Sequence, residues 1–151
     1  MIETAEEKDG VFLVSTFQMG KTIQGIDTMR VQEAIRIPAI TKVHKSLDYV
    51  LGVINLRGKI VTVIDLGRKL GLSPAAITEN SRIIIVDRED EYVGFLVDAI
   101  ADVIAVDRSQ MMPPPSNVDR IQLRFFEGVF PAESGLISIM NVEEILSVED
   151  K

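Results

Sequence analysis

The sequence predicts a mainly β protein made of two similar small β-units around one shared hydrophobic core. Three observations carry this. Short apolar runs broken by turn residues recur along most of the chain. The order hairpin, crossing segment, hairpin, capped short helix occurs twice. At 151 residues, 46% hydrophobic and 26% charged, the composition is globular, but a unit of about 70 residues would bury too little to stand alone.

The elements follow in order. Val11 to Phe17 is an apolar run, and roughly alternating residues from Thr22 to Ile26 follow a turn near Gly20, which together read as a first hairpin. Val53 to Leu56 and Ile60 to Ile64 flank Arg57-Gly58-Lys59, a second hairpin whose Gly58 can take positive φ. Arg82 to Asp87 and Tyr92 to Val97 flank the polar tip Arg88 to Glu91, a third, and Ala101 to Val106 is a further β-branched run. Phe126 to Phe130 and Leu136 to Met140 flank Pro131 to Gly135, a fourth. Helices are few. Asp65 can cap Leu66 to Leu70 before Gly71, and Asn141 can cap Val142 to Leu146 with Glu144 at the capping-box position. Ser46 to Leu51 is expected to form one more helical turn before Gly52.

The halves repeat. Gly52-Val53, Ile60 to Leu66 and Leu70 match Gly128-Val129, Leu136 to Val142 and Leu146 at a spacing of 76, while Val14, Phe17 and Gly25 match Ile83, Val86 and Gly94 at a spacing of 69. The sub-units are therefore placed at 11–80 and 81–148, with neither half stable alone. Leu72 to Asn80 is the one soft stretch between them, and Pro113-Pro114-Pro115 reads as an ordered loop rather than a ligand for a proline-recognition domain.

Composition excludes several chemistries. Without cysteine there is no disulfide, thiolate metal site or cysteine nucleophile, and one histidine cannot make a two-histidine site. A net charge of −7 with no tryptophan opposes binding to duplex nucleic acid. No apolar run approaches the ~18 residues of a membrane span, and the acidic Met1 to Gly10 is a tail, not a targeting peptide. Gly20-Lys21-Thr22 lacks the upstream glycine of a phosphate-binding loop, with Ser15 in its place. His44 lies in a polar loop without a nucleophile elbow; Asp87, Glu89, Asp90 and Glu91 form a hairpin tip, not a calcium loop; Asp65 reads as a cap, and Asp98 has no evident partner. No catalytic machinery, metal site or cofactor is expected, which leaves recognition. Residues 57–69 carry +3 and residues 79–102 carry −5, so a basic and an acidic face could join two partners, or the charge is simply solvated.

The stretch Gly52-Val53-Ile54-Asn55-Leu56-Arg57-Gly58-Lys59-Ile60-Val61-Thr62-Val63-Ile64-Asp65-Leu66 resembles the signature of the CheW family of bacterial chemotaxis coupling proteins. So do Gly25-Ile26-Asp27 with Val31-Gln32-Glu33, and Val93 to Asp98 with Asp102-Val103-Ile104. Met111 to Pro115 and Gly128-Val129 fall at the family's proline loop and last hairpin, so the likeness spans about 11–147. It implies two SH3-like five-stranded β-barrels in a single domain over 1–151. It further implies a non-catalytic cytoplasmic adaptor or scaffold at membrane-associated chemoreceptor arrays. The implied partners are the cytoplasmic tips of methyl-accepting receptors and the regulatory domain of the histidine kinase CheA.

By the same resemblance Arg57, Gly52, Val31 and Val103 face the receptor, and Glu33 with Ile26 beside it faces the kinase. The four receptor-side residues each have an internal alternative. Arg57 could tie down its own loop, Gly52 could be a plain turn glycine, and Val31 and Val103 could be core. Pro131 to Gly135 and Asp119 to Arg124 match nothing in the family pattern, and neither a receiver domain nor a kinase ATP site is present in the sequence. Met1 and the short acidic tails point to a complete stand-alone coupler. The alternatives are a small-ligand-binding β-barrel, which would need a deep pocket, and a fragment of the kinase regulatory domain.

Overall fold

A computed structural model describes residues 10–43, 47–75, 77–114 and 123–147. His44, Ser46, Pro115 and most of 119–124 lie outside them. Among the described residues ten strands form two five-stranded sheets: β1 (Val11–Met19), β2 (Thr22–Asp27), β3 (Val31–Ile35), β4 (Val50–Leu56), β5 (Lys59–Asp65), β6 (Arg82–Arg88), β7 (Glu91–Val97), β8 (Ala99–Asp107), β9 (Phe126–Ala132) and β10 (Gly135–Met140). Two one-turn helices, α1 (Leu66–Lys69) and α2 (Val142–Ile145), follow β5 and β10. All four expected hairpins are present, as β1–β2, β4–β5, β6–β7 and β9–β10.

The internal repeat is structural. Tyr49 and Phe125, 76 apart, each accept a 2.7 Å backbone bond from the helix-capping residue, Asp65 or Asn141. Thr41 pairs with Val53 as Met112 pairs with Val129. Gly25 and Gly94 are matched too: a Cβ at Gly25 would collide with Val14, and one at Gly94 with Ile83. In both units a β-branched side chain thus fills the space that glycine leaves.

The sheets do not follow the sub-units placed at 11–80 and 81–148. One sheet has the order β8-β1-β2-β10-β9 and the other β3-β6-β7-β5-β4, so each half supplies strands to both. The 3₁₀ turn Thr28–Arg30 carries the chain from the first sheet to the edge of the second. The halves are then sewn together by two parallel pairings, β2 with β10 and β5 with β7. Parallel pairing needs a long crossover, which local patterning does not reveal. The helical turn expected over 46–51 is likewise corrected: Asp48 and Tyr49 form a turn, Val50 donates to the Leu47 carbonyl at 3.0 Å, and β4 begins at Val50.

Three apolar clusters hold the fold. Ile54, Leu56, Val61, Val63, Ile83, Ile85 and Leu96 fill one barrel. Phe12, Val14, Val106, Phe130, Ile137 and Ile139 fill the other. Between them lies the expected shared core, including Phe17, Ile26, Ile84, Val86, Phe95, Val97 and Met140. Strand β6 shows why its sequence is apolar without alternation: Ile83 and Ile85 face a barrel interior, and Ile84 and Val86 face the shared core. Both faces are buried.

Asp65 and Asn141 cap as read, but Glu144 does not complete a capping box, because the Asn141 amide donates to the Phe125 carbonyl and the Glu144 carboxylate pairs with Arg124. Asp65 is buried, and its carboxylate accepts from the Arg68 amide at 3.3 Å and the Ala75 amide at 3.1 Å. Asn141 accepts from the Glu144 amide at 3.2 Å. Asp65→Ala removes a cap and leaves the half-buried Ala75 amide without its partner, so it should lower stability by about 2 kcal/mol. The urea midpoint measures this, and an unchanged midpoint would deny Asp65 that role.

Candidate functional site

The most specific motif, Asn55-Leu56-Arg57-Gly58, is a two-residue hairpin turn. Arg57 and Gly58 both have positive φ, 51° and 89°, as the turn that suits the right-handed twist of a hairpin requires. The Asn55 side chain accepts from the Gly58 amide at 2.8 Å, and Leu56 is anchored in the barrel. The turn therefore holds the Arg57 guanidinium out, with its side chain 67% exposed. The guanidinium grips the Glu33 carboxylate of β3 through both nitrogens, the longer bond measuring 3.5 Å. This fork-to-fork pairing raises the Arg57 pKa above its ordinary value and bridges the two edge strands of one sheet, β3 and β4. Arg57 and Glu33, expected on different faces, are partners on one.

A second set of residues gathers where the chain passes between sheets. Asp27 caps the 3₁₀ turn, its carboxylate accepting from the Met29 amide at 2.9 Å. The Thr28 and Ser15 hydroxyls bond at 2.8 Å. Arg30 donates to the Asp87 carbonyl at 3.2 Å and pairs with Glu143 of α2 at 2.8 Å. Gln32 donates to the Asp87 carboxylate at 3.0 Å. Ser15 is in turn the register partner of Val103 on β8. Polar bonds thus fix the backbone of 27–32 and leave an apolar strip standing on the surface: Val103 is 57% exposed, Met29 73% and Leu13 40%.

The sequence-derived residues divide accordingly. Val103 is exposed and not core. Val31, at the start of β3, is half-buried and packs on the shared core. Ile26 is fully buried in that core, so it presents no side chain to a kinase. The expectation that it stands beside Glu33 on a surface is corrected by the strand's parity, which turns Ile26 inward. Gly52 is buried, with φ of 148°, and a Cβ there would strike the Thr41 carbonyl. The close approach at Gly52 is thus made by this chain's own segment, not left open for a receptor helix. Met29 and Leu13 were missed. The available signal was Asp27, two residues before Met29, as a capping side chain that turns the chain there.

Other candidates resolve as structure. Gly20 sits in the β1–β2 turn, and its amide donates to the Asp98 carboxylate at 2.7 Å, which gives Asp98 its partner. In the basic stretch, Arg57 is taken by Glu33, Lys59 lies 4.5 Å over the Tyr92 ring and Lys69 4.3 Å over the Tyr49 ring. Much of that charge is held within the protein. An open groove of about 660 Å³ runs between β5, β7 and α2, lined by residues that include Tyr49, Ile60, Tyr92 and Leu146. The barrel interiors are filled with aliphatic and aromatic side chains, which disfavours a ligand-binding barrel. No group of three or more metal-ligating side chains occurs among the described residues, and no helix among them is long and apolar enough to cross a membrane.

Comparison with known proteins agrees with the fold. Residues 14–150 match the family described as CheW-like domain. The chain is 32% identical to the chemotaxis protein CheW of Bacillus subtilis, covering 97% of this chain and 93% of that one. It is 31% identical to CheW of Thermotoga maritima, covering 89% and 87%. The solved structure of the scaffolding protein TtCheW from Thermoanaerobacter tengcongensis superposes with a TM-score of 0.83 at 33% identity, covering 93% of this chain and 90% of the other.

Proposed function

The chain belongs to the CheW-like family, and from that premise we propose which of its surfaces performs the coupling. It is a chemotaxis adaptor that couples receptors to the kinase CheA. Its work is binding, in the cytoplasm, at receptor arrays that lie against the membrane. One face meets the helical tip of a methyl-accepting receptor, and a separate face meets the CheA regulatory domain.

The observation that carries the receptor assignment is the apolar strip of Leu13, Met29 and Val103, with Val31 at its inner edge and the Arg57–Glu33 pair further along β3. A helix can lay its apolar face along such a strip, while a planar, exposed guanidinium binds a carboxylate or a carbonyl at the helix flank. Glu33 belongs to this surface through its pairing with Arg57, and the kinase contact lies elsewhere. No chemistry is assigned to the chain, and the adaptor acts by occupying two partners at once.

Titration of a soluble receptor hairpin into the protein tests the assignment. Arg57→Ala should weaken receptor binding by about tenfold and leave the affinity for the CheA regulatory domain unchanged. Loss of kinase binding instead would move Arg57, and with it Glu33, to the kinase face.

A further inference from the structure

We propose that Met29 is an oxidation site at which peroxide releases the protein from its receptor. The inference rests on the receptor assignment above and extends it to regulation. The chain has six methionines, in very different settings. Met19 and Met140 are buried. Met111 is half-buried, and Met112, 42% exposed, is held by a two-way backbone pairing with Val129. Met1 lies outside the described residues. Met29 is 73% exposed, the highest value among the large apolar side chains described.

Its exposure is imposed by its neighbours. The Asp27 carboxylate holds the Met29 amide, Thr28 is bonded to Ser15 on one side, and Arg30 is bonded to the Asp87 carbonyl and Glu143 on the other. The turn cannot rotate to withdraw the thioether without breaking these bonds. The same pinning ties the turn to Ser15, the register partner of Val103 on β8, so Met29 is carried next to the edge of the first sheet where Val103 stands exposed.

The chemistry balances without a cofactor. A thioether lone pair attacks one oxygen of hydrogen peroxide. The S–O bond forms as the O–O bond breaks, and the departing hydroxide takes up the remaining proton to leave as water. Sulfur is oxidised by two electrons and peroxide is reduced by two. The product sulfoxide is polar and branched. A helix seated on it must bury an S=O dipole among apolar groups, and desolvating such a group without a hydrogen bond is unfavourable. Met29 in its thioether form is flexible and polarisable, suited to an irregular helical surface, so oxidation reverses the property that makes it useful there.

The test uses the full chain and a receptor hairpin as probe. Brief treatment with dilute hydrogen peroxide should add one oxygen to the tryptic fragment 22–30 ahead of the fragments carrying Met19 and Met140. Affinity for the hairpin should fall about tenfold, and methionine sulfoxide reductase should restore it. Met29→Leu, whatever its starting affinity for the hairpin, should keep that affinity after peroxide, whereas Met112→Leu should stay sensitive. Two results overturn the inference alone: treated protein that binds unchanged with its 22–30 fragment oxidised, or Met29→Leu that loses affinity on treatment as the parent does. Failure of the untreated protein to bind would instead overturn the receptor assignment, and this inference with it.

Discussion

Val103→Asp should abolish receptor binding while the protein melts at its usual temperature. Val103 stands on β8, an edge strand, with more than half of its surface exposed, so folding gains little from it. Covering the exposed half of a valine in a complex contributes about 1–1.5 kcal/mol, or roughly a 5- to 12-fold change in affinity. A carboxylate in its place adds the penalty of burying an unpaired charge, so binding should drop below detection at micromolar hairpin. Calorimetric titration beside a thermal melt checks both halves of the statement. Normal binding would remove Val103 from the interface, and a collapsed melting transition would show that β8 needs it for folding.

The second large effect concerns the fold. Residues 1–80 and 81–151, expressed separately, should each lack a cooperative unfolding transition, and mixing them in equal amounts should restore one. Strands β1 and β2 find their neighbours in β8 and β10, and β6 and β7 find theirs in β3 and β5. The shared core likewise draws Phe17, Ile26 and Ile64 from one half and Ile84, Phe95 and Met140 from the other. Neither fragment can complete a sheet or a core. Circular dichroism of each fragment and of the mixture against temperature reads the outcome. A cooperative transition in either fragment alone would contradict the interleaved topology.

Much of this architecture was legible because it is local. Arg57-Gly58 marked its hairpin turn, Asp65 and Asn141 marked their helices, and the paired spacings of 76 and 69 marked the repeat. What remained hidden was non-local. Nothing in the run from Val11 to Ile26 says that its strands join Ile137 and Ile139 in parallel and not the second hairpin of their own half. Val31 to Ile35 alternates half-buried and exposed residues, yet it was noticed only as a motif and not as a strand. The site followed the same division. Val103 and Arg57 were open to either a surface or an internal reading in the sequence, and their exposure needed the structure. Ile26 carries the right type of side chain but on the inward face, and sequence cannot assign faces when both sides of a sheet are buried. Met29 escaped notice because its prominence comes from four polar bonds made by its neighbours, two of which reach across to Ser15 and Asp87.

The coupling proposed above requires one chain to hold a receptor and CheA on separate surfaces at the same time. The most direct test is calorimetric titration of the CheA regulatory domain into this protein, alone and again with saturating receptor hairpin. The predicted result is one-to-one binding in both titrations, unaltered by Val103→Asp. Absence of binding across the micromolar range, or displacement of one partner by the other, would mean that this chain does not join the two.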